Sequence, residues 1–150
     1  MSASSDPAPG GQASGPLPKD LFEAALAARA RSYSPYSKFP VGAALRTGSG
    51  AVVAAANVEN AAYPQSQCAE ASAIGRMVAE GHTRITEIVV VGGEPGDDLM
   101  CTPCGGCRQR IREFARPDTP VWVCGPEGLR RRFTLDELLP FSFGPDNLGF

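Results

Sequence analysis

Residues 68–91, CAEASAIGRMVAEGHTRITEIVVV, contain a predicted helix followed by a buried strand. Alanine and other apolar residues recur at helical spacing over residues 68–80, and Gly81 then ends the helix. Residues 85–91 form a continuous, largely β-branched run, which is typical of a strand covered on both faces. A helix that leads into such a strand favours a crossover fold, in which helices cover a sheet.

The remaining segments extend this pattern to a single α/β domain. Because a hairpin precedes the crossovers, the order of elements predicts a three-layer α/β/α fold with a five-stranded mixed β-sheet. The hairpin turn is expected at residues 47–50, Thr-Gly-Ser-Gly. The other predicted elements are a helix over residues 19–31, strands over 41–47 and 51–58, a helix from 104 or 105 to 116, strands over 119–124 and 130–133, and a short helix over 135–139.

Length and composition argue against several classes of protein. The 150 residues suit one domain, and 43% hydrophobic with 20% charged residues is typical of a globular chain. A net charge of -2 offers no basic excess, so no nucleic-acid partner is expected. The apolar runs are far shorter than the roughly 18 residues of a membrane span, so no membrane partner is expected.

The first 18 residues are almost entirely Ser, Ala, Pro and Gly. This composition buries too little apolar surface to offset the entropy of ordering, so residues 1–18 are expected to form a disordered tail. They also lack the basic and apolar regions of a signal peptide. The folded domain is then expected to span residues 19–150.

Three of the five cysteines, Cys68, Cys104 and Cys107, lie where loops enter predicted helices. Helix N-termini favour thiolate over thiol, and the Cys-x-x-Cys spacing lets two sulfurs reach one ion. Three thiolates leave a fourth tetrahedral position open, which is typical of catalytic zinc. Two alternatives remain: a closed zinc site that includes Cys101, and a redox dithiol of Cys104 and Cys107.

Glu70 adds an acid–base group to these ligands. At the very start of a helix, its side chain can reach the end at which Cys68 would hold the ion. A carboxylate beside a zinc-bound water can take a proton from that water and deliver it elsewhere. The sequence therefore predicts a catalytic zinc site with Glu70 as the proton carrier.

Cys-x-Glu followed by Pro-Cys-x-x-Cys resembles the signature of the zinc deaminases, with Cys instead of His as the first ligand. Over residues 21–148 the chain is similar to the small, homotetrameric class of cytidine deaminases. The motifs that carry this resemblance are Ser34-Pro35-Tyr36-Ser37-Lys38-Phe39, Val41-Gly42-Ala43-Ala44, Asn57-Val58-Glu59-Asn60-Ala61-Ala62-Tyr63, Cys68-Ala69-Glu70, Pro103-Cys104-Gly105-Gly106-Cys107-Arg108-Gln109 and Glu137-Leu138-Leu139-Pro140.

The resemblance implies a cytidine deaminase-like fold and hydrolytic deamination of cytidine and 2′-deoxycytidine to uridine and 2′-deoxyuridine, with release of ammonia. One Zn²⁺ per subunit, held by Cys68, Cys104 and Cys107, would acidify a water. Glu70 would pass the proton to ring N3 and carry a second one to the departing amine. The implied partner is a small nucleoside, the assembly a homotetramer, and the role pyrimidine salvage in the cytoplasm.

The resemblance also implies the substrate contacts. Asn57 and Glu59 alternate at a strand end and so share a face. The family assigns them to the ribose, whereas the residues alone also fit a polar strand end that leads into a turn. Phe39 would lie against the pyrimidine ring, and backbone groups near Ala69 would fix its edge. The residues implied to contact substrate, some of them across a subunit interface, further include Ala61, Tyr63 and Phe143.

The chain departs from the family at Ala71, where members with three cysteine ligands often carry an arginine that bonds to the thiolates. Three thiolates on Zn²⁺ sum to -1, so another group must withdraw electron density from sulfur. Helix N-termini supply part of this effect. We expect Arg108 to supply much of the rest, with a salt bridge elsewhere on its helix as the alternative.

Three other functions remain open. The first is deamination of a nucleoside-like antibiotic such as blasticidin S, although Glu59 and Asn60 suit a ribose. The second is RNA or DNA editing, which the net charge of -2 disfavours. The third is a catalytically silent zinc scaffold, which the presence of Glu70 disfavours. Outside the site, His82 is expected at a helix end, and the arginine run 130–132 is expected to be a solvated strand edge.

Overall fold

A computed structural model describes residues 15–150 as five strands and four helices joined by mostly short loops. Within this range no helix has the length and apolar composition that crossing a membrane requires. The elements are α1 Lys19–Arg29, β1 Val41–Thr47, β2 Val52–Ala56, α2 Ala69–Ala79, β3 Ile85–Gly92, α3 Gly105–Phe114, β4 Pro120–Gly125, β5 Gly128–Thr134 and α4 Leu135–Leu138, with short 3-10 turns at Tyr63–Gln65 and Pro145–Leu148.

The five strands form one mixed sheet in the order β2-β1-β3-β4-β5. β1 runs antiparallel to both β2 and β3, and β4 runs antiparallel to β5. β3 and β4 are parallel, as the crossover through α3 requires. The expected five-stranded mixed sheet is therefore confirmed, although β5 is a full strand of seven residues instead of a short one.

Helices cover both faces of the sheet, so the predicted three-layer α/β/α fold is also confirmed. On one face α1 packs Leu21 and Ala25 against alternate strand residues such as Val89. On the other face Met77 of α2 and Ile111 of α3 pack in a larger cluster with the intervening residues of the same strands. Because successive strand side chains point to opposite faces, the apolar run of β3 serves both clusters.

Three predicted elements, α1, β2 and α3, end at least two residues earlier than expected. α3 ends at Phe114, because Ala115 already has an extended backbone. α1 ends at Arg29, because the chain turns there and Tyr33 then forms a bridge with Val58. Val58 forms bridges with Tyr33 and with Gln67 instead of pairing with β1. β2 therefore ends at Ala56.

The N-terminal boundary is only partly described. The expectation of a disordered tail falls on residues 1–14 outside the described part of the chain. Within that part, Leu17 is half-buried against the α1 cluster, and the Pro18 carbonyl accepts a hydrogen bond from the N–H of Phe22. Packing therefore begins shortly before α1.

Gly42 sets how closely α1 lies on the sheet. A Cβ atom at this position would lie 1.9 Å from the carbonyl oxygen of Ala25 and 2.6 Å from the backbone nitrogen of Arg29. Both are backbone atoms of a packed helix, so α1 would have to shift as a unit. Gly75, in the middle of α2, has open space where a Cβ would go.

We expect Gly42→Ala to lower the free energy of unfolding by about 1–3 kcal/mol, the usual cost of overpacking a core. Gly75→Ala is the matched control and should raise it by about 0.5–1 kcal/mol, because alanine has the higher helix propensity. Urea denaturation followed by circular dichroism measures both changes. Equal stabilities of Gly42→Ala and the wild type would contradict the tight contact between α1 and β1.

Candidate metal and catalytic site

The three predicted cysteine ligands come together where two helices begin. Cys68 is the N-cap of α2, and Cys104 is the N-cap of α3 with Cys107 in its first turn. Their sulfur atoms all lie within 4.8 Å of one another, and the Sγ atoms of Cys68 and Cys104 are 3.8 Å apart. The sequence motifs thus form one cluster in space.

The spacing of the sulfurs fits a tetrahedral zinc ion. With Zn–S bonds of about 2.3 Å, two sulfurs on such an ion are about 3.8 Å apart. Cys101 lies outside the cluster of three and packs, half-buried, against the core beside α2 and α3. The described residues therefore form a three-sulfur site and not the closed four-cysteine alternative.

Burial raises the pKa of these thiols, whereas N–H groups at a helix end lower it. Burial raises the pKa of Cys68 and of Cys107, and the nearby carboxylate of Glu70 adds to the effect at Cys107. At Cys104 burial acts in the same upward direction, but the backbone N–H of Cys107 and the two neighbouring thiols outweigh it and lower the pKa. Cys104 is thus the ligand most readily deprotonated, and a divalent cation would favour the thiolate at all three.

Glu70 lies in the first turn of α2 and is only 5% exposed. Burial raises the pKa of its carboxyl group, while its own backbone N–H and the Cys107 thiol act in the opposite direction. The preceding residue, Ala69, is fully buried. A carboxyl group that is held beside the sulfur cluster and shielded from solvent is suited to proton transfer.

The other two cysteines lie in ordinary structural positions. All five are free, so no disulfide joins Cys104 to Cys107. Burial raises the pKa of Cys101 to about 11 and that of Cys124 to about 12. Cys101 is a loop residue and Cys124 a buried residue of β4, as expected from the sequence.

Arg108 differs from the expectation that it bonds to the cysteine sulfurs. Its Nε donates to the Pro103 carbonyl at 2.7 Å, Nη1 to the Leu138 carbonyl at 2.7 Å and Nη2 to Thr102 Oγ1 at 3.2 Å. Among the described residues, none of its hydrogen bonds goes to a sulfur. The guanidinium fits the three oxygens that the α3 N-terminus and the end of α4 present, so it anchors the loop before Cys104.

Asn57 holds the loop that carries Phe39. Its Oδ1 accepts hydrogen bonds from Ser32 Oγ and from the N–H of Val41, the latter at 2.9 Å. Its Nδ2 donates to the Phe39 carbonyl at 2.9 Å. The side chain therefore ties the end of β2 to both ends of the neighbouring loop.

Glu59 binds the middle of that same loop. Its Oε1 accepts from the N–H groups of Tyr36 and Ser37 at 3.0 and 3.1 Å. The Ser37 side chain and these N–H groups lower the pKa of Glu59, although loss of solvent contact acts against them. Its second oxygen, Oε2, takes part in neither bond.

The remaining predicted contacts are on the surface. Phe39 and Tyr63 are 37% and 70% exposed, and Ala61 beside Tyr63 is exposed as well. The Tyr63 ring packs edge-on against Tyr36 with centroids 5.8 Å apart. Phe143 is 58% exposed, and its carbonyl accepts a hydrogen bond from Gln109 of α3.

Sequence reasoning missed Arg130. It was expected in a solvated arginine run, but its side chain is only 8% exposed and pairs with Asp97 and Glu127. The next residue, Arg131, is exposed as expected. The acidic pair Asp97-Asp98 in the preceding loop is the one sequence signal for such a buried cation.

This chain is similar to known proteins in sequence and in fold. Residues 17–123 match the family model for the cytidine and deoxycytidylate deaminase zinc-binding region. A cytidine deaminase of Sporosarcina psychrophila is 38% identical over 82% of this chain and 88% of its own length. One of Halalkalibacterium halodurans is 38% identical over 85% and 95%.

Two solved structures that resemble this chain are also cytidine deaminases. The crystal structure of cytidine deaminase from Burkholderia pseudomallei is 41% identical to this chain, covers 83% of it and 97% of its own chain, and has a TM-score of 0.75. That of Mycobacterium leprae is 42% identical with a TM-score of 0.67, over 81% of this chain and 95% of its own. The family match spans most of the described residues and includes all three clustered cysteines and Glu70, so this chain belongs to the cytidine and deoxycytidylate deaminase family.

Proposed function

We propose that this protein is a zinc-dependent deaminase that hydrolyses cytidine and 2′-deoxycytidine to uridine and 2′-deoxyuridine and releases ammonia. The observation that carries the proposal is the placement of buried Glu70 beside three sulfurs that fit one tetrahedral ion. Relatives that are 38% identical to this chain over more than four fifths of its length are named cytidine deaminases.

Cys68, Cys104 and Cys107 would hold the metal, one ion per subunit, and leave one position free of protein ligands. A Zn²⁺ ion at three thiolates supplies Lewis acidity, which lowers the pKa of the attacking water. The N-termini of α2 and α3 point their unpaired N–H groups at this end of the sheet and offset part of the thiolate charge.

Glu70 carries the protons. It takes one from the attacking water and gives it to ring N3, which makes C4 more electrophilic. The water oxygen bonds to C4, and Glu70 then takes the second proton of that water from the new C4 hydroxyl group and delivers it to the exocyclic amine. The C4–N bond breaks at this point, because ammonia leaves readily only when that nitrogen is protonated. The burial that raises the pKa of Glu70 suits a group that must both accept and donate near neutral pH.

The loop over residues 34–39 would hold the nucleoside. Asn57 fixes the backbone around Phe39, whose ring is exposed enough to face a pyrimidine. Glu59 holds this loop with Oε1 and leaves Oε2 for a ribose hydroxyl. Backbone groups at Ala69 and Cys104, which begin the two helices, would fix the polar edge of the pyrimidine.

A homotetramer would complete the site. Several aromatic side chains are exposed in the single chain, namely Tyr33, Tyr36, Tyr63 and Phe143, and Tyr36 packs against Tyr63. Exposed apolar patches often mark protein interfaces. Ala61, Tyr63 and Phe143 would then contact the substrate of a neighbouring subunit.

An assay of ammonia release from cytidine, combined with metal analysis of the same sample, tests the proposal. We expect one zinc per chain and turnover of cytidine and 2′-deoxycytidine but not of blasticidin S. A zinc-loaded protein that deaminates the antibiotic and neither nucleoside would contradict it.

Glu70→Gln keeps the size and hydrogen bonding of the side chain but cannot carry protons. We expect bound zinc to remain while turnover falls by at least about two orders of magnitude, the usual contribution of a general acid–base group. Glu80→Gln at the other end of α2 is the control and should keep its activity, because Glu80 pairs with Arg76 on the helix surface, away from the sulfur cluster. Near-normal turnover in zinc-loaded Glu70→Gln would rule out the proposed proton carrier.

Asn57→Asp replaces the amide that donates to the Phe39 carbonyl with an acceptor. We expect a loss of about 1–3 kcal/mol in unfolding free energy, the cost of an unmet polar group, together with a raised KM. The control is Asn147→Asp, because Asn147 accepts a hydrogen bond from the N–H of Gly144 through its Oδ1, and aspartate can do the same. If both variants behave alike in thermal melts and kinetics, Asn57 does not organise the loop.

Phe143→Ala tests the shared site. We expect the KM for cytidine to rise several-fold while zinc content stays constant, because the ring is proposed to contact a neighbour's substrate. Leu129→Ala, another exposed apolar residue on the β4–β5 hairpin, is the control. A fully active monomer in analytical ultracentrifugation would refute the shared site.

A further inference from the structure

We propose that Arg130 is a positioning residue for the zinc site, because it fixes the loop that ends at Cys104. The inference rests on the proposed function, in which Cys104 is a zinc ligand. Arg130 itself lies on β5 and takes no part in the sulfur cluster.

The guanidinium of Arg130 makes five hydrogen bonds, as many as it has N–H donors. Nε and Nη2 donate to the two carboxylate oxygens of Glu127 at 2.9 and 3.3 Å. Nη2 also donates to the Glu94 carbonyl at 2.7 Å, and Nη1 donates to the Leu99 carbonyl at 2.6 Å and to Asp97 Oδ1. One buried cation thus holds both ends and the middle of residues 94–99.

Asp97 organises the same loop from inside. Its Oδ2 accepts from the N–H of Glu94 at 2.7 Å, and its Oδ1 accepts from the N–H of Leu99 at 3.0 Å. These N–H groups, followed by the charge of Arg130, hold the pKa of Asp97 below its ordinary value. Asp97 and Glu127 both pair with Arg130, so its charge is more than neutralised where the side chain is only 8% exposed.

Two glycines make room for this side chain. A Cβ on Gly125 would lie 2.3 Å from Nε and Nη2 of Arg130. Gly93 has φ +84°, a conformation that side-chain-bearing residues rarely adopt, and a Cβ there would lie 2.9 Å from Nη1. The Gly93 carbonyl also accepts from Arg29 of α1 at 2.7 Å. The start of the loop is therefore fixed to both α1 and β5.

The end of the loop leads directly to the metal site. Only four residues lie between Leu99 and Cys104 in the chain, and among them the N–H of Thr102 bonds to the Met100 carbonyl at 2.9 Å. Arg108 holds Thr102 and Pro103 from the side of α3. The segment is thus fixed at both ends, by Arg130 before Cys101 and by Arg108 after it.

The position of Cys104 relative to the other ligands depends on this segment. Cys68 is carried by α2, whereas Cys104 follows a long connection from β3. Metal sites tolerate deviations of only about 0.2 Å in ligand distance, so a loose connection would weaken binding and distort the site. Residues that orient ligands from outside typically change metal affinity about 10–100-fold.

The test compares Arg130→Met and Asp97→Asn with Arg131→Met in the full chain. Arg131→Met is the matched control, because Arg131 is the next residue of β5, lies on the opposite face and stacks on Phe133. Zinc affinity is measured by competition with a chelator, and ligand geometry by the visible absorption of Co²⁺ bound in place of zinc. Thermal unfolding reports stability separately.

We expect Arg130→Met to weaken zinc binding at least about ten-fold and to shift the cobalt spectrum, with Asp97→Asn acting in the same direction and Arg131→Met unchanged. A lower melting temperature with wild-type zinc affinity and cobalt spectrum would overturn the inference, because Arg130 would then only stabilise the fold. If Arg130→Met does not fold, the same two readouts on Asp97→Asn decide. A wild-type chain that binds neither ion would instead contradict the proposed function, and the inference with it.

Discussion

The convergence of two helix N-termini at one edge of the sheet determines the rest of this structure. α2 and α3 begin side by side, which brings Cys68 and Cys104 to an S–S distance of 3.8 Å and places Glu70 beside them. Unpaired N–H groups at both helix ends favour thiolate there, so the fold supplies the electrostatics as well as the geometry. The sheet is the rigid support of the site. α1 packs on one of its faces, and α2 and α3, whose N-termini form the site, pack on the other.

Buried or half-buried arginines connect the loops around this site. Arg108 uses all three of its guanidinium nitrogens on oxygens near the start of α3 and the end of α4. Arg112, further along α3, binds Ser142 and Asp146 and so holds the C-terminal segment that carries Phe143. Arginine suits such positions because its planar guanidinium presents five donors in a fixed geometry and stays charged when buried. These hydrogen bonds fix the loop before α3 and the C-terminal segment, neither of which has a regular secondary structure throughout.

The loop of Phe39 shows a second use of the same principle. Asn57 and Glu59 are expected to bind the ribose, and both also hold backbone groups of residues 36–41. In the proposed function, these two residues both order the loop and face the substrate, so the shape of the site would depend on few side chains. The exposed aromatic residues nearby, such as Tyr63, lack cover within one chain, which agrees with the proposed assembly.

The sequence by itself determined the mixed sheet, the helix starts and the three-sulfur cluster with Glu70, because these depend on local periodicity and on short motifs. Val41–Thr47 has the bounds that its pattern predicts. Only the tertiary structure decided the partners of Arg108 and Arg130, which lie up to 36 residues away in the chain. An arginine's partners depend on which distant carbonyls and carboxylates the fold brings within reach. The sequence shows that a cation is present, whereas packing decides whether it is solvated, as Arg131 is, or buried, as Arg130 is.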